Sequence, residues 1–223
     1  MLSIIIPVYN QRHYTESILA QIPLMTVGEY EIIVVDSAST DETPTEIKNY
    51  PNVRYIHPEK NIFVNGAWNL WVKEAKWEYI CIMNNDLELS QGWDIPLIEW
   101  LKDNILITSP LYTIGETPFN WRWFRNNPRN FYNICWHCFV MKKSDWVEIP
   151  NNFKIRYWDN RQYEHMARKK GIELCIPQSK IHHYESKTVK SKNKLIDMTI
   201  EGDTRERNTF AKEYFTTMDK WLK

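Results

Sequence analysis

The chain has 223 residues, 43% of them hydrophobic and 25% charged, which suits one sizeable globular core and excludes a disordered chain. Its 28 basic and 28 acidic residues cancel, which counts against a broad nucleic-acid-binding surface, so no nucleic-acid partner is expected. No apolar run reaches the ~20 residues of a transmembrane helix, and Met1–Asn10 is apolar without a basic leader. The expectation is a cytoplasmic protein, soluble or peripheral.

The first strand is read at Leu2–Val8, a continuous β-branched run of the kind found in buried parallel strands. Thr15 to Ile22 follows as a helix with Ile18, Leu19 and Ile22 on one face. Glu31–Asp36 is a second buried strand ending in an acid, and the polar loop Ser37–Asp41 comes next. Thr43-Pro44 opens another helix, because proline suits a first helical position. Val53–Ile56 is a short third strand, Asn65–Lys76 a helix, and Tyr79–Met83 a fourth strand running straight into Asn84-Asn85-Asp86-Leu87-Glu88.

Strands alternating with helices predict an α/β fold with a mainly parallel central sheet flanked by helices. Ligands of such sheets bind beyond the carboxyl ends of the strands, where Asp36 and Asp86 stand.

From Thr108 to Asn133 the pattern lapses, in a stretch holding Trp121, Arg122, Trp123, Phe124, Arg125 and Arg129. A strand is read at Cys135–Met141, then the polar, aromatic stretch Tyr157–Arg161. Tyr163–Lys170 is read as a helix with Gly171 as its C-cap. Ile172–Ile176 is a late strand, and Ile181-His182-His183 follows. Lys187, Lys190, Lys192 and Lys194 occupy a polar loop. Phe210, Tyr214, Phe215, Met218, Trp221 and Leu222 recur at helical spacing in the tail. Cys81 and Cys175 lie in apolar runs. Cys135-x-x-Cys138 lacks the second pair that a four-thiolate zinc site needs, so structural thiols in a reducing compartment are expected.

Asp86-x-Glu88, directly after an apolar strand, is an acid pair suited to a hard divalent cation. By itself the pair is more often a loop cap. Three ordered segments carry more weight: Ser3–Asn10, Glu31–Thr43 and Tyr79–Glu88, with Asn61–Asn69 leading to the last. Together they resemble the nucleotide-binding half of family 2 glycosyltransferases with the GT-A fold. Tyr157–Arg161, the helix to Lys170, and Ile176-Pro177 through His182 resemble that family's acceptor side, so the likeness spans about residues 2 to 185.

The resemblance implies a single domain over residues 1–223. Residues 1–105 would bind a nucleotide-diphosphate sugar and 106–185 a glycan or other hydroxyl acceptor, with a basic loop and C-terminal helix over 186–223. It implies that Pro7, Tyr9 and Asn10 lie against the nucleotide and that Asp36 accepts a hydrogen bond from the base. Asn69, Asn84 and Asn85 would line the donor pocket. Asp86 would bind Mn²⁺ or Mg²⁺, helped by Glu88 and by His182, with His183 as its rival. Asp159 would be the general base of an inverting transfer, with Glu164 as fallback. Three departures stand out: Asn84 where many relatives carry an acid, Trp158 where an acid often precedes the base, and Phe63 in place of a small residue. Two other readings stay open. One is a binding module without turnover. The other is a sugar nucleotidyltransferase, which the absence of glycine after the first strand disfavours.

Overall fold

Leu2–Val8 forms β1, and its side chains alternate between two cores as strand geometry requires. The computed structural model describes residues 1–115, 136–154 and 165–184, Ala167 apart. Ile4, Ile6 and Val8 of β1 join one core with Ile18, Leu19 and Ile22 of α1 (Arg12–Met25). The same core takes in Ile47 and, from α4 (Asp94–Glu99) and the residue before it, Leu97 and Trp93. Ile5 points the other way, into a core shared with Ala67, Trp68, Trp71 and Val72 of α3 (Phe63–Glu74) and with Ile149 and Phe153. A strand flanked on both faces has apolar residues pointing both ways, which is why Ile4, Ile5 and Ile6 follow one another here.

The remaining elements are β2 (Tyr30–Asp36), α2 (Thr43–Glu46), β3 (Val53–Ile56), β4 (Tyr79–Met83), β5 (Leu87–Leu89), β6 (Ile105–Ile114), β7 (Cys138–Lys142) and β8 (Ile172–His183). They form one eight-stranded sheet in the order β3-β2-β1-β4-β7-β6-β8-β5. The strands β3, β2, β1 and β4 run parallel, as do β6 and β8. The strand β7 is antiparallel to both β4 and β6, and β5 is antiparallel to β8. The sheet is thus mixed α/β, with a parallel half that ends its four strands on one edge. Among the described residues no helix is long and apolar enough to cross a membrane.

Several sequence expectations change. The lapse read from Thr108 onward begins inside β6, whose buried Thr108, Ser109 and Pro110 mask the apolar pattern. The short β5 and α4 were not anticipated. Ile172–Ile176 and Ile181–His183 are one strand, interrupted only by a register shift: Pro110 faces Ile176 while Leu111 faces Lys180. The extra residues around Pro177 are the bulge that read as a break. At the end of the helix before β8, Lys170 takes the left-handed conformation (φ 52°), not Gly171. Gly171 N–H donates to Met166 C=O at 2.8 Å, the six-to-one bond of a Schellman ending. Cys135, the basic loop and the tail helix lie outside the described residues.

Candidate active site

Two loops meet at the carboxyl edge of the parallel half. After β1, Asn10 and Gln11 have φ of 56° and 64°, a left-handed turn that asparagine tolerates better than most residues. Asn10 N–H donates to Ser39 Oγ at 2.6 Å, and Asn10 Oδ1 accepts from Thr40 N–H at 2.8 Å. Arg12 N–H donates to Asp41 Oδ2 at 3.1 Å. The amide of Asn10 therefore staples the β1 turn to the Ser37–Asp41 loop. Pro7 and Tyr9 lead into this turn, each half-buried.

Asp36 ends β2 with 0% exposure. Its Oδ1 accepts from Ser39 N–H at 2.8 Å, and its Oδ2 accepts from Tyr55 Oη at 2.7 Å. His57 Nδ1 also lies 3.1 Å from Oδ2. Burial first, then the bond to Asp36 and its charge, pushes the Tyr55 phenol well above its ordinary range. Tyr55 and His57 both contact Asp36, and the sequence reading did not pick them out. Their signal was faint: two polar rings at the end of a four-residue strand.

Three strands away, Asn84, Asn85 and Asp86 leave β4. Asn85 Nδ2 donates to Thr15 Oγ1 on α1 at 3.1 Å. Asn84 Nδ2 lies 3.2 Å from His137 Nδ1, and Asn84 N–H donates to His137 C=O at 2.8 Å. Asp86, 5% exposed, has Oδ1 at 3.2 Å from His183 Nε2. The His183 ring stacks on His137 with centroids 3.7 Å apart. Burial, and then the neighbouring His183, lowers the His137 pKa to about 4, with Asp86 pulling the other way.

Consecutive strand residues face opposite sides, so His182 and His183 part company. His182 Nδ1 lies 2.8 Å from Thr113 Oγ1 and sits opposite Glu88 in the β5–β8 register. Glu88 accepts from Tyr184 Oη at 2.9 Å. Burial, then that bond and the Glu88 charge, pushes the Tyr184 phenol up to about 12. His137 and Tyr184 were also missed. Two residues past His182 on an extended chain is the same face, which was the available signal for Tyr184.

The donor set fits a hard or borderline cation. Asp86 Oδ1 and His183 Nε2 meet directly at 3.2 Å, and carboxylate oxygen and imidazole nitrogen are both groups that divalent cations take as ligands. Among the described residues no three His, Cys, Asp or Glu side chains converge as a closed cage.

Asn69 stands apart from these groups. Its Nδ2 donates to Ile149 C=O at 2.7 Å and its Oδ1 accepts from Ile149 N–H at 2.9 Å, which ties α3 to a segment 80 residues on. Phe63, at the start of α3, has φ of 56°, and its N–H donates to Asn61 Oδ1 at 2.7 Å. Cys81, Cys138 and Cys175 are buried free thiols, with Cys81 Sγ and Cys138 Sγ 4.0 Å apart. Asp159 and Glu164 lie outside the described residues.

Comparison with known proteins bears on the fold and the family. Among curated sequences the chain is 33% identical over 129 residues to the dolichol-phosphate mannosyltransferase of Pyrococcus furiosus, covering 55% of this chain and 36% of that one. It is 26% identical over 130 residues to glycosyltransferase GlyG of Streptococcus pneumoniae, covering 56% of this chain and 43% of the relative. The chain thus spans less than half the length of these relatives. In fold it resembles the mannosyltransferase PcManGT of Pyrobaculum calidifontis, solved with GDP-Man and Mn²⁺, with TM-score 0.67 at 19% identity over 82% of this chain and 56% of that one. It also resembles S. aureus TarS 1-349 solved with UDP-GlcNAc, with TM-score 0.64 at 16% identity over 82% of this chain and 58% of that one. The sequence profile of glycosyl transferase family 2 matches residues 3–175, and with three-quarters of its length so matched on a GT-A sheet, the chain belongs to that family.

Proposed function

We propose that this protein is a metal-dependent, inverting glycosyltransferase that moves a sugar from a nucleotide-diphosphate sugar to an acceptor hydroxyl, as in glycan synthesis. The observation that carries the reading is the Asp86–His183 pair, 3.2 Å apart at the end of β4, on the same sheet edge as the Asn10–Asp41 staple. That edge spans three strand spacings from β3 to β4, about 14 Å, a length suited to a nucleoside diphosphate lying across it. Pro7, Tyr9 and Asn10 would flank the nucleoside, and Asn84 and Asn85 the diphosphate.

Asp86 and His183 would hold Mn²⁺ or Mg²⁺, with Glu88 assisting directly or through water. His183 is preferred to His182 because it is His183 that meets Asp86. When bound, such an ion supplies positive charge against the departing diphosphate. Asp159 would take the proton of the acceptor hydroxyl as its oxygen bonds to the anomeric carbon and the bond to the diphosphate breaks. Residues 1–105 would serve the donor and 106–185 the acceptor within one domain. The three buried free thiols suit a reducing compartment, in keeping with a cytoplasmic, soluble or peripheral protein.

A thermal-shift and hydrolysis screen of UDP-, GDP- and dTDP-sugars, each with and without Mn²⁺, tests the reading. Metal-dependent stabilisation by one donor, with slow release of its nucleotide, is expected. Stabilisation without release or transfer to any acceptor would replace the enzyme with a binding module. No response to any donor would refute the nucleotide-sugar reading.

A further inference from the structure

The sheet has a second edge, opposite the one that carries the site. The strands β1, β6 and β8 all start there, since β7 runs antiparallel to both β4 and β6, and β8 runs parallel to β6. Along this amino edge stand Leu24, Val27, Trp100 and Ile172, large apolar side chains between 41% and 68% exposed. Leu24 and Val27 belong to the end of α1 and the loop into β2, Trp100 follows α4, and Ile172 opens β8. The loop is held firmly. Asp94, at the start of α4, accepts from Val27 N–H at 3.1 Å and from Gly28 N–H at 2.8 Å. Trp93 Nε1 donates to Thr26 Oγ1 at 3.1 Å, and Gly92 N–H donates to Met25 C=O at 2.7 Å. These four bonds brace the loop with the Val27 side chain facing out. Single apolar side chains on a surface are ordinary, but several along one braced edge mark a surface that something covers.

The chain itself carries an occupant. Residues 185–223 lie outside the described residues. In their sequence Phe210, Tyr214, Phe215, Met218, Trp221 and Leu222 recur at helical spacing, with Lys212, Glu213, Asp219 and Lys220 between them. Wound as a helix, residues 210–222 would be about 20 Å long. The amino edge from β1 to β8 is four strand spacings, about 19 Å. The strand β8 ends at the carboxyl edge, so the stripe must return along the sheet by about 40 Å, the length of its 12 residues. Residues 185–209 span up to ~80 Å when extended, which is ample. A tethered segment also meets the edge at an effective concentration of about a millimolar, above that of a second copy in dilute solution. We propose that residues 210–222 dock their apolar stripe along the amino edge, over Leu24, Val27, Trp100 and Ile172, on the side of the sheet remote from the site.

Hydrogen exchange read by mass spectrometry on the full chain tests this, comparing the wild type with Leu24→Asp/Val27→Asp. Both positions are exposed and lie outside the site, and exchange in β1, β2 and β4, expected to match the wild type, checks that the variant is folded. In the wild type the amides of residues 211–222 are expected to exchange at least about tenfold slower than in a free peptide of the same sequence. In Leu24→Asp/Val27→Asp that protection is expected to fall below about threefold. A tail that exchanges freely in the wild type overturns the proposal, and so does protection that survives the two aspartates. Protection that appears only on raising the protein concentration, together with a dimer in light scattering, overturns it in favour of a second copy. Protection that appears only with vesicles of phosphatidylcholine and phosphatidylglycerol overturns it in favour of a membrane surface.

Discussion

Replacing Asn69 with alanine should destabilise the fold without touching the donor. In the family likeness this residue lines the donor pocket, yet both ends of its amide are spent on Ile149, whose N–H it accepts at 2.9 Å and whose C=O it bonds at 2.7 Å. Ile149 is 1% exposed and Asn69 is 7% exposed, so water does not reach in to replace the lost amide. Each buried backbone group left unpaired costs ~1–3 kcal/mol, and two are lost, which puts Asn69→Ala about 2–6 kcal/mol below the wild type. For a chain of this size 1 kcal/mol shifts Tm by roughly 2–4 °C, so the melt should fall by about 4–24 °C. Urea unfolding followed by tryptophan fluorescence measures the first figure and calorimetry the second. Asn69→Asp keeps the acceptor for Ile149 N–H and loses the donor, so it should fall between. Nucleotide Kd at a temperature where all variants are folded should stay within twofold. A loss under ~0.5 kcal/mol, or intact stability with lost nucleotide binding, would refute the clamp and return Asn69 to the pocket wall.

Four further outcomes are expected. Asp86→Ala should abolish the Mn²⁺ dependence of nucleotide binding, and an unchanged Kd with and without Mn²⁺ in both proteins would sink the metal assignment. Asp159→Asn should keep donor binding within about threefold and lose at least ~100-fold in transfer rate, the scale of general-base catalysis; a wild-type rate would remove Asp159 as the base. Glu31 resists ionisation through its burial, but bonds from Ser3 Oγ at 2.6 Å and Lys76 N–H at 2.8 Å, with Arg54 beside it, outweigh that and lower its pKa below 4.5. A lowered carboxyl pKa means stability that is present above pH 4.5 and lost as pH falls through the folded value. Glu31→Gln should therefore cost about 1 kcal/mol at pH 7 and little at pH 3, measured by denaturant unfolding at both. Gly171→Ala would set a methyl 2.5 Å from Leu106 Cγ, so Leu106 must turn aside at a cost of about 1–3 kcal/mol; an unaltered melting curve would mean that the space is there.

Parts of this architecture were legible because local pattern and tertiary role coincide. Leu2–Val8, Tyr30–Asp36 and Tyr79–Met83 are covered on both faces, and each carries an unbroken apolar run, at residues 4–6, 32–35 and 80–83. The acids that end β2 and the loop after β4 could be read because parallel strands deliver their ligand groups at one edge. Where the pattern broke, so did the reading. Thr108 is 0% exposed because its Oγ1 donates to Leu97 C=O at 2.8 Å, a partner 11 residues away that no period announces. Pro177 looked like the end of a strand and proved to lie within a register shift.

Read from the residues alone, the chain already has a mainly parallel sheet flanked by helices, with Asp36 and Asp86 at its carboxyl edge. These follow from short-range periodicity and the burial it demands. Only the tertiary structure decided that His183 rather than His182 meets Asp86, that Asn69 clamps Ile149, and that His57 covers Asp36. Each of those choices pairs polar groups from separate elements. A hydrogen bond is fixed by distance and direction in space, and residue spacing along a chain encodes neither once the chain has turned a corner.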